Sequence, residues 1–470
     1  MSTTQVIPEN FIQVSKAERD RRWKRVRDEM VQRGVDCLLV MGSSGRWNEM
    51  HANLRYVANY ADNLSTLSYA IFPLQGEGTL VTQMSIKRSN LAQCWFSDIR
   101  GQSTRKLPEI LAERLGDLNL LQGSLGLAGL TFLGGETIGL PWNLREAIHK
   151  KLPHVKMVDM TDMFFTLRAV KSDEEVACLA NSARLSDIAF EAKLSLARPG
   201  VTERELYAGM IYAVEAAGAE PPTFLVLNSG SMPGGPLMGD PSPSNRVLQP
   251  GDVLCSEIGP KWAGYQAQGS QTVVLGKASP VLHELAQYGA EVWHKIVDKL
   301  RPGNSYHEAL HAGDDIIRAV RWKLGDLAES FHPIAHGAGL NGPDPEPPFD
   351  ELQPNQAFNV HIGHGAPTTQ HLFAGCCVAT TKGEARPLSK YPIEELLLAE
   401  AEKARAAALD DKVLDGARRV LAAAVEEEVV AFLGRHRYPL AYSALFRDAG
   451  RESAVGRLPE GNAGRATDGT

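Results

Sequence analysis

Between residues 17 and 33 the apolar positions recur at helical spacing, and the chain then enters the short run Cys37-Leu38-Leu39-Val40-Met41. A run this short, bounded by polar residues, predicts a buried strand rather than a buried helix. Two more strand-like runs follow at 67–72 and 79–81, separated by a turn that holds Pro73, Gly76 and Gly78. Helices alternating with buried strands predict an α/β domain, which we bound at residues 1–165. The pattern changes at Ser172. Glu175 follows it three residues on, and such a pair caps the first turn of a helix reciprocally. Thr202 with Glu205, and Ser305 with Glu308, repeat the signature, each just after a Pro-Gly pair that ends the preceding element.

The recurrence goes further than the caps. RPGVTERE at 198–205 returns as RPGNSYHE at 301–308, and LQPGDVLCSEIG at 248–259 returns as LQPNQAFNVHIG at 352–363. The first shift, 301 minus 198, is 103 residues and the second, 352 minus 248, is 104. Two signatures returning at nearly the same shift imply a duplicated unit, and its period is too long for a solenoid. We therefore expect two related halves within one domain, bounded at 166–398. In the second copy Phe358, Val360 and Ile362 alternate with Ala357, Asn359 and His361. The period of two places His361 on the face opposite the apolar residues, and Glu257 lies likewise opposite Leu254 and Ile258. The repeat makes Glu257 and His361 equivalent positions. A cleft between the two halves is where a ligand would sit.

Beyond residue 398 the chain becomes rich in Ala, Glu and Arg, with Leu414, Ala417, Leu421, Ala424 and Val425 at helical spacing. Residues 399–470 are expected to form a helical extension whose last twenty residues, rich in Gly, Arg, Asp and Glu, are disordered. The 470 residues are 43% hydrophobic and 22% charged with a net charge of -7, which suits a globular chain and leaves no basic footprint for nucleic acid. No apolar run approaches the ~20 residues that cross a bilayer, and the N-terminus lacks the order of a secretory signal. A cytoplasmic protein acting on a small molecule, with no membrane or nucleic-acid partner, is the expectation. The six cysteines, Cys37, Cys94, Cys178, Cys255, Cys376 and Cys377, show no C-x-x-C spacing and read as reduced thiols.

The ordered segments VKSDEEVACL, ARPGVTERELY, NSG, SNRVLQPGDVL, AGY, FHPIAHGAG and LQPNQAFNVHIG resemble the pita-bread family of creatinase, prolidase, aminopeptidase P and methionine aminopeptidase. NLRYVANY, with its following strand, resembles the smaller creatinase-type N-terminal domain. The resemblance spans about 16–398. It implies an α/β N-terminal domain, a pseudo-twofold pita-bread α+β domain and a homodimer.

The family's metallopeptidases hold two divalent ions with two Asp, one His and two Glu. On this chain the resemblance carries those positions to Glu257, Gln268, His336, His361, and Ala374 or Gly375. One carboxylate stands where four would be expected, too little anionic charge for two dications in a partly dry cleft, so the dinuclear centre is expected to be lost. Creatinase, a metal-free member, relies on a histidine where this chain has Asp240; Ser270 stands at one of its orienting glutamates and His361 at another.

The expected catalytic set is Glu257, His361, His336, His332 and Asp240, with Gln268, Gln266 and Ser270 contacting substrate. Imidazole beside carboxylate forms an acid/base pair near neutral pH, and Glu257 with His361 or His336 is expected to move protons. His364 and His371 are expected in a solvent-facing hairpin loop. The leading expectation is a hydrolase or lyase acting on a C–N or similar bond of a small polar metabolite without a cofactor. An alternative is an enzyme with one divalent ion on Glu257, His336 and His361, a two-histidine, one-carboxylate set that suits iron and is tolerable for zinc. A third is a non-catalytic binding protein, against which stand five histidines between 332 and 371. An ordinary prolidase activity is not expected on the ligand count.

Overall fold

The computed structural model describes residues 14–42, 52–60, 67–82, 93–100, 106–130, 140–230, 243–328, 330–342, 344, 350–364, 371–397 and 399–400. Asp240 lies outside this set, as does the expected helical extension from residue 401 onward.

The first helix, α1 (Lys16–Gln32), buries Glu18, Arg22, Val26 and Met30, one residue per turn, and is capped by the Ser15 hydroxyl, which accepts from the Glu18 amide. There follow β1 (Cys37–Gly42), α2 (Ala52–Ala58), β2 (Ser68–Pro73), β3 (Thr79–Thr82), β4 (Asp98–Arg100), α3 (Leu107–Asp117), β5 (Ser124–Ala128), α4 (Trp142–Lys151), β6 (Lys156–Asp159) and α5 (Thr161–Ala169). Their six strands form one sheet in the order β4-β3-β2-β1-β5-β6. Strands β1 and β2 are buried along their whole length, as their uninterrupted apolar runs require. The predicted helix and three strands recur within two residues of their expected bounds.

Next come α6 (Asp173–Leu196) and α7 (Glu203–Ala216), each opened by the complete reciprocal cap expected from Ser172 with Glu175 and Thr202 with Glu205. They lead to β7 (Glu220–Gly230), β8 (Val253–Trp262), β9 (Tyr265–Gln266), β10 (Gly269–Val274), α8 (Pro280–Lys299), α9 (Tyr306–Leu310) and α10 (Asp314–Leu324). At α9 the expectation is only half met. The Ser305 hydroxyl accepts from the Glu308 amide at 3.0 Å, but the helix lasts five residues, because Gly313 follows soon after and the chain re-initiates as α10. The remaining elements are β11 (His332–Gly337), β12 (Ala357–His364), β13 (Leu372–Thr380), β14 (Ala385–Pro387), α11 (Ile393–Leu397) and β15 (Ala399–Glu400). The last places the first two residues of the expected extension in a strand.

The second sheet has nine strands, with the path β11-β12-β13-β10-β8-β7 and β9, β14 and β15 attached to it. Outward from the β10–β13 junction the order is β10-β8-β7 on one side and β13-β12-β11 on the other. That mirrored order is the pseudo-twofold the repeat predicts, with the duplicated strands β8 and β12 in equivalent places. One face of the sheet buries Leu254, Val273, Val360 and Ile362 in a core shared with Phe190 of α6, Leu206 of α7 and Trp293 of α8. The other face carries the polar residues.

A hydrogen bond and two ion pairs link the N-terminal elements to this sheet. Arg22 of α1 donates to the Tyr265 hydroxyl at 2.7 Å, and Arg55 of α2 pairs with Glu220 of β7 at 2.9 Å. Arg168 of α5 pairs at 2.6 Å with Asp344, which bridges back to Gly337 at the end of β11. Removing one partner from a fully buried pair such as Arg168 with Asp344 is destabilising by about 3–5 kcal/mol.

Candidate functional site

In an antiparallel ladder, residues directly opposite each other point to the same face. Glu257 on β8 lies opposite Ser270 on β10, Ser270 opposite Gly375 on β13, Gly375 opposite His361 on β12, and His361 opposite Ile334 on β11. His336, two residues beyond Ile334, lies opposite Asn359 on the same face. This register brings Glu257, His336 and His361 together, each offering one ligand atom within 4.8 Å of the others. His361 Nε2 is 3.5 Å from Glu257 Oε1, the two imidazole centroids are 6.0 Å apart, and Phe373 stacks on His361 at 5.2 Å.

Second partners orient the rings. His336 Nδ1 is 3.0 Å from the Gly337 carbonyl, which can only accept, so Nδ1 carries the proton and Nε2 keeps its lone pair. His361 Nδ1 is 3.0 Å from Ser270 Oγ. Burial dominates the electrostatics. It alone pushes the Glu257 carboxyl up to about 8, and it holds His361 well below the usual imidazole range, with His336 adding repulsion. His336 is also lowered by burial, offset in part by the Gly337 carbonyl and Asp344. At neutral pH the trio is therefore a protonated carboxyl beside two neutral imidazoles. Groups whose environments push acid and base apart in this way suit proton transfer.

The other expected residues divide. Gln268 is buried on the same face, and its side-chain amide is oriented by Asn359, whose Nδ2 donates to Gln268 Oε1 at 3.1 Å while Asn359 Oδ1 accepts from the Gln268 backbone N–H at 2.9 Å. Gln266 Nε2 donates to the Gly259 carbonyl at 2.6 Å. His332 lies on β11 outside the converging trio, its Nδ1 donating to the Ser330 carbonyl at 2.5 Å. His364 and His371 are not solvent-facing as expected: both are buried, at 0% and 8% exposure, because β12 runs on through His364 and pairs it with Leu372. His361 is itself fully buried, on a strand covered on both faces. Asn359 and Phe373 were missed. Asn359 shares the alternation that singles out His361, so its facing was readable; the stacking of Phe373 depends on cross-strand register alone.

Among the expected site residues four buried atoms have no hydrogen-bond partner among the described residues: Glu257 Oε2, His361 Nε2, Gln268 Nε2 and Gln266 Oε1. Unpaired buried polar atoms are costly, and a ligand that bonded them would remove that cost.

Residues 177–395 match the Metallopeptidase family M24, and residues 22–170 match the Creatinase/Prolidase N-terminal domain. The chain belongs to the creatinase/prolidase/aminopeptidase P family. It is 26% identical to an Xaa-Pro dipeptidase of Pyrococcus horikoshii over 46% of this chain and 59% of that protein, so the match spans little more than half of that relative. It is 25% identical to a creatinase of a Bacillus species over 62% of this chain and 68% of that one. Its fold is that of the X-Pro aminopeptidase of Thermotoga maritima, with a TM-score of 0.66 and 20% identity over 80% of this chain and 99% of the other. The pita-bread architecture with its creatinase-type N-terminal domain is thereby established. Among the described residues no helix is long and apolar enough to cross a membrane.

A two-ion centre of the family's kind does not fit these residues. Register resolves the choice between Ala374 and Gly375: Ala374 lies opposite Ile362 on the apolar face, so Gly375 occupies the site position. A Cβ there would lie 2.1 Å from the Val360 carbonyl oxygen and 2.6 Å from His361 Cα, leaving no room for a side chain. Gln268, the other vacated carboxylate position, has its amide oxygen engaged by Asn359. One ion on Glu257, His336 and His361 does fit the donor set.

Proposed function

We propose that this chain hydrolyses a C–N bond in a small polar metabolite, with Glu257 and His361 as the proton-transfer pair. The observation that supports the reading is the approach of His361 Nε2 to Glu257 Oε1 at 3.5 Å between two buried side chains, with an acid raised and a base lowered by the same burial. Glu257, protonated at neutral pH, donates to the departing nitrogen. His361, neutral, takes the proton of the attacking group, and His336 presents a second basic nitrogen whose tautomer the Gly337 carbonyl holds. General acid/base catalysis of this kind contributes about 10²–10⁴-fold. Gln268 Nε2 and Gln266 Oε1 offer a substrate one donor and one acceptor.

A second reading is favoured by the approach of three ligand atoms within 4.8 Å. Glu257, His336 and His361 would then hold one divalent ion, which would supply Lewis-acid polarisation of the substrate. The His336 Nδ1 bond to a backbone carbonyl is the orientation that a metal-ligating histidine uses. A cytoplasmic homodimer is the setting we propose for either reading.

The test is release of amine or ammonia from a panel of amides, ureas, guanidino compounds and Xaa-Pro dipeptides, before and after exhaustive chelation. Turnover that survives chelation supports the first reading, and turnover lost on chelation and restored by a single added metal supports the second. A protein that binds panel members but cleaves none would be a binding module, and both readings would fall.

A further inference from the structure

We propose that Ser270 is the nucleophile of this site, with His361 as its base. The inference rests on the hydrolase reading above and specifies what attacks the substrate. Ser270 Oγ lies 3.0 Å from His361 Nδ1, and on the far side of the ring Nε2 lies 3.5 Å from Glu257 Oε1. Hydroxyl, imidazole and carboxyl thus form a continuous array, in which a nucleophile bonds a base that a third group orients. The three come from separate strands, β10, β12 and β8, and meet through sheet register. Ser270 faces Glu257 directly, and Gly375, the residue between Ser270 and His361 in that row, has no side chain to separate hydroxyl from imidazole.

A donor for the developing oxyanion is present on the same face. Gln268 stands two residues before Ser270, just ahead of β10, and its Oε1 accepts from Asn359, which shares its face of β12 with His361. Asn359 engages Gln268 Oε1, leaving Gln268 Nε2 as a buried donor with no partner among the described residues. A preorganised amide donor of this kind stabilises the negative oxygen of a tetrahedral intermediate.

The step balances within these groups. Ser270 Oγ forms a bond to the acyl carbon as its proton passes to His361 Nδ1, and the carbonyl electron pair moves onto oxygen. The C–N bond then breaks as Glu257 gives its proton to the departing amine. Water next gives a proton back to Glu257 and its oxygen to the acyl carbon, releasing the acid as His361 Nδ1 returns its proton to Ser270. Serine that served only to orient the imidazole would form no such bond.

Phenylmethylsulfonyl fluoride reads this out without a known substrate. Applied to the full chain, it should sulfonylate Ser270, an Oγ–S bond forming as fluoride leaves, detected by intact mass and peptide mapping. His361→Asn should slow that labelling about a hundredfold. Ser270→Ala should abolish it while the thermal melt stays close to that of the unsubstituted chain. Should Ser270→Ala misfold, Ser270→Cys provides the second arm, with alkylation by iodoacetamide mapped to position 270 and slowed by His361→Asn. No adduct at position 270, or a labelling rate indifferent to His361→Asn, overturns the proposal. Failure of the hydrolase reading looks different: Ser270 would take the label while no C–N substrate turned over. If instead Ser270→Ala still released amine, water would be the nucleophile and the hydrolase reading would survive without the serine.

Discussion

Strands β8 and β12 are copies of one unit, yet each half of the sheet gives its copy a different chemistry. On β8 the site position is Glu257, whose carboxyl burial raises to about 8; on β12 it is His361, whose imidazole burial holds well below its usual range. The undersides differ as well. Beneath β8, Lys193 of α6 is fully buried and donates to the Leu254 carbonyl, the Ser256 hydroxyl and the Gln271 carbonyl at 3.0, 2.9 and 2.7 Å. Beneath β12, Trp293 of α8 makes one bond, from Nε1 to the Val360 carbonyl at 3.1 Å. Duplication supplied two equivalent backbone positions that the pseudo-twofold turns toward each other. Divergence then placed a carboxyl on one and an imidazole on the other, the pair that the proposed proton transfer uses.

Removing either member tests that mutual dependence most severely. Glu257→Gln and His361→Ala should each lower kcat/KM by about 10²–10⁴-fold with the fold intact by circular dichroism. If only one of them matters, the two halves do not act as a pair. The next largest effect is expected at Gly375. Gly375→Ala drives a methyl into the β12 backbone, and overpacking of this kind is destabilising by about 1–3 kcal/mol, readable as a lower urea midpoint. A neutral effect would mean that β13 can shift, and that the vacated carboxylate position could be refilled.

The undersides are separated by pH. Lys193→Met should be destabilising by about 2 kcal/mol through its lost bonds, and the difference should depend on pH. Burial lowers the Lys193 pKa from 10.5 to about 7, so between these values the unfolded chain binds the proton more readily than the native one. Native stability due to this group therefore rises with pH across that window, by up to about 1.4 kcal/mol per unit, and the penalty is complete below 7. Urea unfolding at pH 7.5 and 9.5 should show the wild type gaining on Lys193→Met at the higher pH. A constant difference would mean that the three oxygens keep the ammonium charged. Trp293→Phe, the smallest effect, should be destabilising by about 1 kcal/mol equally at both pH values.

Much of the frame was legible in the chain. The repeat predicted the pseudo-twofold, the capping pairs located α6 and α7, and alternation put Glu257 and His361 on the polar face. What stayed hidden depends on register between distant strands, where a slip of one residue moves a side chain to the other face. Ala374 and Gly375 are indistinguishable for that reason until β13 is seen paired with β12. The pairing of Gln268 with Asn359, 91 residues apart, and the bond from Ser270 to His361 are of the same kind. His364 and His371 misled because polar residues beside Gly365, Ala366 and Pro367 read as loop in the sequence, whereas β12 runs through His364 and β13 begins directly after His371.

Glu257, His336 and His361 put one carboxylate and two imidazoles where the metallopeptidases of the family carry four carboxylates and a histidine. Counting bound ions tests that difference most directly, by elemental analysis of the purified protein after dialysis against manganese or zinc. The account predicts no more than one ion per chain, with Glu257→Gln removing any that binds. Two ions per chain, retained through gel filtration, would contradict it.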